Sequence, residues 1–181
     1  MSEPIQPPSA VCHVLTYKEG LLSAVAHDLR IRIGRFTLNV DRAANQIVGS
    51  FDTVSLVVDT VMRGGQPVSG VLSSKDFDKI AGNIRDDVLA SRAHPTATWR
   101  APLPSAEQVA SGRFTLRGDL TLKGVTRSLA VDVHREGDAW IARVRIHQPD
   151  FGIRPYSAML GALKVKPEVD IELRAPVAAT L

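Results

Sequence analysis

The stretch Arg113-Phe114-Thr115-Leu116-Arg117-Gly118-Asp119-Leu120-Thr121-Leu122-Lys123-Gly124 decides the fold class. Phe114, Leu116, Gly118, Leu120 and Leu122 alternate with Arg113, Arg117, Asp119, Thr121 and Lys123. A period of two gives a strand with one apolar face and one wetted face. Lys123-Gly124 then turns the chain, and Leu129, Val131 and Val133 alternate with Asp132 and His134. Gly137-Asp138 supplies a second hairpin signal. Trp140, Ala142, Val144 and Ile146 follow against Arg143 and Arg145, and Val169, Ile171 and Leu173 form a last alternating run.

Upstream the same pattern holds, with interruptions. Val11 to Tyr17 reads as a short strand. Leu29, Ile31 and Ile33 alternate with Arg30 and Arg32, but Phe36, Leu38 and Val40 continue on the opposite parity. A bend or bulge near Gly34 keeps both sets on one face. The parity slips again between Phe51 and Val54, as expected of a strongly curved sheet. Between Ser73 and Leu89 the spacing changes: Phe77, Ile80, Ile84 and Val88 share one helical face, with Ser73 or Ser74 as N-cap. His94-Pro95 ends that region and Thr96 to Trp99 resumes a strand. The sum is a mainly β chain: about eight antiparallel strands and one substantial helix, with closure into a barrel hiding the strand edges. Residues 1–10 read as a Pro-rich, flexible leader, and 11–181 as the barrel domain.

Composition narrows the function. The chain has 181 residues, 44% of them apolar, which suffices for one well-buried core. Lys plus Arg exceed Asp plus Glu by 22 to 19, a net charge of +3 with no basic block, so no nucleic-acid partner is expected. The lone cysteine, Cys12, excludes a disulfide framework and a cysteine-rich metal site. Cys12 and His13 point to opposite faces of a strand, and the five histidines lack ligand spacing, so no metal is expected. Apolar runs are too short for a transmembrane helix, and Met1–Ala10 lacks the features of a signal peptide, which points to the cytoplasm. No P-loop, nucleophile elbow or zinc-protease motif is present.

A few residues carry functional alternatives. His27-Asp28 reads either as a polar handle at a pocket mouth or as a histidine satisfying backbone groups at a strand entry. Arg30, Arg32 and Arg35 read as an anion strip or, for the first two, as a solvated outer face. The helix stripe either packs in the core or floors a cavity. From Asp150-Phe151-Gly152-Ile153 to Val165 lies a long connection in which Tyr156, Met159 and Leu163 either line a ligand path or plug one barrel end.

Four stretches together resemble the YceI-like family of lipocalin-like, polyisoprenoid-binding barrels. They are Ser23-Ala24-Val25-Ala26-His27-Asp28-Leu29, His94-Pro95-Thr96-Ala97-Thr98-Trp99, Gly118 to Thr126, and Asp150-Phe151-Gly152-Ile153 with Val169 to Leu173. Many family members carry a secretion signal and are periplasmic. Ala90-Ser91-Arg92-Ala93 stands where paired phenylalanines are common. The resemblance implies non-catalytic binding or transport of a long isoprenoid-type lipid, with no cofactor and with a homodimer within the family's range. It implies Phe36, Phe51, Trp99, Phe114, Leu116, Phe151 and Leu163 as ligand contacts, with His27 at a polar head group. Two alternatives stay open: an enzyme using His27 and Asp28 as acid and base on a hydrophobic substrate, and a filled barrel acting as an interaction module.

Overall fold

A computed structural model describes residues 4–19, 26–158, 160 and 163–177. The strands are β1 (Val11–Lys18), β2 (Asp28–Ile33), β3 (Phe36–Asp41), β4 (Gln46–Asp52), β5 (Leu56–Arg63) and β6 (Gln66–Val68) in the first half. The second half holds β7 (Thr96–Pro102), β8 (Arg113–Leu122), β9 (Val125–Glu136), β10 (Ala139–His147), β11 (Ser157–Ala158) and β12 (Leu163–Pro176). They form a curled antiparallel sheet in the order β3-β4-β7-β8-β9-β10-β12-β1-β2-β5-β6, with β11 pairing to β12. The mainly β, barrel-like class expected from the alternation is the one observed.

Eleven strands lie along that path where about eight were expected. Two of the added strands have one local cause, and the third is the short β6 beside β5. β2 runs into β3, and β4 into β5, through a shared kink. The backbone N–H of Gly34 donates to the Ser55 carbonyl at 3.2 Å. A Cβ on Gly34 would sit 2.7 Å from that oxygen, so the close approach requires glycine. Opposite it, Thr53–Ser55 forms a 3₁₀ turn capped by Asp52, whose carboxylate accepts from the N–H groups of Val54 (2.8 Å) and Ser55 (3.2 Å). Arg35 clamps the same carboxylate at 2.7 Å. The phase change at Gly34 and the slip after Phe51 are therefore one feature. It folds a long hairpin sideways, so that β3–β4 joins β7 while β2–β5 joins β1.

The helix begins as its cap signals require. Ser73 Oγ accepts from Asp76 N–H at 3.3 Å, and the Asp76 carboxylate accepts from Ser73 N–H at 2.9 Å. α1 (Ser74–Asn83) continues into one wider π turn, Ile84–Val88. Phe77, Ile80 and Ile84 pack on Leu29, Ile31, Leu56, Val58 and Val61. The wider turn carries Val88 to a second cluster with Leu120, Ile146, Phe151 and Val169. α1 and its π turn thus bridge β5 to the region beyond β10. A short α2 (Ala106–Ser111), outside the expected elements, is capped reciprocally by Ser105 and Gln108.

The expected leader is docked in the segment 4–10. Ile5 N–H donates to the Leu38 carbonyl at 2.9 Å and its own carbonyl accepts from Leu38 N–H at 2.8 Å. The side chains of Ile5 and Ala10 are buried with Cys12, Phe36 and Ala175. The outer face carries the charge. Arg145 forms a two-pronged pair with Asp170 (2.7 and 2.8 Å), Arg143 pairs with Glu172 (2.7 Å), and Arg30 grips Asp59 at 2.6 and 2.8 Å. Arg30 and Arg35 are thus both held by carboxylates of this chain.

Candidate ligand cavity

The inward positions stack in rungs fixed by strand register. Cys12 lies opposite Ile33 on one side and Leu173 on the other, and Leu173 opposite Ala142. The next rung is Val14, Ile31, Ile171 and Val144, and the third is Thr16, Leu29, Val169 and Ile146. All twelve side chains face a cavity of about 590 Å³ that their facing partners do not fill. Val14, Ile33, Leu116, Val144, Ile171 and Leu173 are only half-buried although they point inward. Their accessible surface is therefore cavity surface.

The two ends of the cavity differ. Past the Thr16 rung polar side chains join the apolar lining: His27, Gln148, Tyr156 and, from α1, Asp76, Lys79 and Asn83. Asn83 Nδ2 donates to the Tyr156 hydroxyl at 3.1 Å, tying α1 to the chain after β10. Gln148 is buried and donates through Nε2 to the Lys166 carbonyl at 3.0 Å. The Asp76 carboxyl is held below the usual range by its hydrogen bonds from the Ser73 hydroxyl and backbone N–H. Past the Cys12 rung the lining stays apolar: Ile5, Phe51, Trp140 and Ala175. Burial pushes the Cys12 thiol up to about 12, so it behaves there as a small hydrophobe.

Five of the eight expected contacts face this space: His27, Phe51, Trp99, Leu116 and Leu163. Two glycines make room for the rings. A Cβ on Gly118 would lie 2.7 Å from Trp99 Cζ2, and one on Gly49 would lie 2.8 Å from Phe51 Cε2. Phe36, Phe114 and Phe151 are not among the cavity-lining residues. Phe36 stacks on Phe51 with ring centroids 5.6 Å apart, and Phe114 meets Trp140 edge-on at 5.6 Å. Phe151, 1% exposed, packs in the Val88–Leu120–Ile153 cluster. Each of these three backs the wall and does not form it. Tyr156 lines the cavity as well, while Met159 and Ser23–Val25 lie outside the described residues. The pair His27-Asp28 is split: His27 faces the cavity, and Asp28, not a lining residue, accepts from Lys18 N–H at 2.8 Å. Ile5 escaped the sequence reading because a Pro-rich N-terminus carries no periodic signal.

Among the described residues, no cluster of His, Cys, Asp and Glu is arranged to hold a metal ion, and no helix is long and apolar enough to cross a membrane.

Residues 24–177 match the family model described as a YceI-like domain. A search of the curated proteins finds no match. Among solved structures, the chain is similar to a polyisoprenoid-binding domain from Saccharophagus degradans implicated in plant cell wall breakdown. The TM-score is 0.62 at 13% identity, covering 96% of this chain and 97% of that one. BcnA of Burkholderia cenocepacia gives a TM-score of 0.59 at 14% identity, with coverages of 91% and 94%. The YceI protein of Campylobacter jejuni gives 0.53 at 14%, with coverages of 88% and 90%. At these identities the likeness establishes the shared fold.

Proposed function

The chain belongs to the YceI-like family, and from that premise we propose that it is a carrier of an isoprenoid-type lipid. The hydrocarbon lies among the three inward rungs and the polar head sits beside His27. The observation that carries the reading is the apolar, rung-lined cavity of about 590 Å³, polar at one end. That volume falls in the range of small-molecule sites, roughly 300–1,000 Å³. The likeness in fold to a polyisoprenoid-binding domain supports an isoprenoid over other hydrocarbons. Burial contributes about 0.8 kcal/mol per CH₂, so a chain of a few isoprene units binds tightly without any directed chemistry. At the polar end, the imidazole of His27 and the amide of Gln148 offer hydrogen bonds to an alcohol, carbonyl or phosphate.

Two neighbouring residues test this reading. Leu116 faces the cavity, while the adjacent Thr115 is exposed and bonds Asp132 at 3.0 Å. Leu116→Arg should abolish uptake of added polyprenol, because an unpaired guanidinium then occupies an apolar space. Thr115→Arg should bind as wild type. Equal retention by a well-folded Leu116→Arg protein would contradict the proposal.

A further inference from the structure

One of the residues lining the apolar end of the cavity stands outside the sheet's strands. Ile5 holds its place by two backbone hydrogen bonds to Leu38, on the edge of β3 that, among the described residues, no other strand pairs. Its side chain is 6% exposed and lies against Ala10, Cys12, Phe36 and Ala175 while facing the cavity. The chain then turns, with Ser9 Oγ donating to the Gln6 carbonyl at 2.7 Å and Ala10 N–H donating to the same oxygen at 3.1 Å. Val11 opens β1, and Cys12 is its first inward residue. The segment 4–10 therefore runs from the edge of β3 to the start of β1, with Ile5 and Ala10 buried beside Ala175 at the end of β12. The family match begins at residue 24, so it does not include this segment.

We infer that Ile5 is a specificity-determining residue: it is the floor that sets how many isoprene units the cavity accepts. The inference rests on the lipid-carrier reading and deepens it. The wall cannot set length, because its rungs are spaced evenly by strand register along the direction in which a chain extends. The polar collar fixes the other end by holding the head. Length is then decided where the hydrocarbon terminus meets the floor. Trp140 shares that floor but is pinned edge-on against Phe114. Ile5 is pinned through its backbone, so its side chain can be changed while its two hydrogen bonds remain. An isoleucine side chain holds four carbons and an isoprene unit five, so removing the one makes space for about one of the other. Apolar cavities opened by such deletions stay dry and accept apolar guests.

The test uses the full-length protein offered an equimolar ladder of polyprenols differing by one isoprene unit, read by native mass spectrometry beside a thermal melt. Wild type should load up to a sharp upper length. Ile5→Gly should raise that limit by about one unit and Ile5→Trp should lower it by about one. Ile5→Leu, which conserves volume, should leave it in place. The Gly and Trp variants move the limit in opposite directions, so either one that folds decides the matter. An unchanged limit in loaded variants would overturn the role of Ile5 and leave the carrier reading standing. A wild-type protein that loads no polyprenol would overturn both.

Discussion

The two ends of the cavity are built on opposite principles. At the floor, Ile5, Trp140 and Ala175 continue the apolar surface, and their backs are packed against Phe36 and Phe114. At the polar end, His27, Gln148, Asn83 and Tyr156 present polar atoms, and α1 reaches across to the chain after β10. One end trades cavity surface for packing, and the other trades packing for hydrogen bonds. The lesson is that stability and head-group recognition are separable along the barrel: the apolar end should govern fold stability and the chain length accepted, the polar end the affinity for the head group.

The largest effect should come from attacking the floor. Trp140 is 7% exposed and packs against Phe114 and Val133. Trp140→Ala should destabilise the fold by about 3–5 kcal/mol, the usual cost of truncating a buried tryptophan. Chemical denaturation checks this, and a loss below about 1 kcal/mol would break the contrast. At the polar end, His27→Ala should move stability by no more than about 0.5 kcal/mol. The same change should weaken ligand binding about tenfold, as expected for one hydrogen bond to a head group. A titration with a polyprenol is the measurement, and unchanged affinity would remove His27 from the head-group role.

The smallest effect should come from the outer face, which serves as a control for both ends. The Tyr17 hydroxyl donates to Asp170 at 2.6 Å, beside the Arg145 pair. Hydrogen bonds from Arg145 hold the Asp170 carboxyl below the usual range, against the opposing push of burial and with help from Tyr17. Burial and the Asp170 hydrogen bond push the Tyr17 phenol up to about 12, so it remains a donor throughout the neutral and acid range. A carboxylate with a depressed folded pKa contributes stability above its unfolded value of about 4, and that contribution fades as pH falls through the lower folded value. Tyr17→Phe should therefore cost about 1 kcal/mol near neutrality, since the pair is partly exposed. The deficit should shrink in acid, with ligand affinity unchanged throughout. A deficit that grew in acid would contradict the assignment.

The sequence revealed faces better than ends. In β8, alternation alone placed Phe114, Leu116 and Leu120 on one side, because a strand's period is a local property. Whether each reaches the cavity depends on what lies across the barrel. Leu116 meets cavity space, while Phe114, two residues away on the same face, meets Trp140. Phe36 is likewise screened by Phe51. Such screening is set by partners distant in sequence, so counting phases could not find it. The kink was readable at Gly34 and after Phe51, but that the two are one hinge follows from pairing across the hairpin. Ile5 gave no signal because a single added bridge has no period. The role of α1 at the polar end is half readable: its apolar stripe is evident, but nothing in the spacing marks Asn83, which reaches Tyr156.

Whether the cavity holds an isoprenoid-type lipid, as proposed, can be read from the protein itself. The most direct measurement is native, then denaturing, mass spectrometry of the protein purified under mild conditions from its own cells. A lipid carrier should show a mass excess that vanishes on denaturation and reappears as an isoprenoid in the organic extract. A ligand-free mass, with no uptake of added polyprenyl lipids, would contradict the proposal.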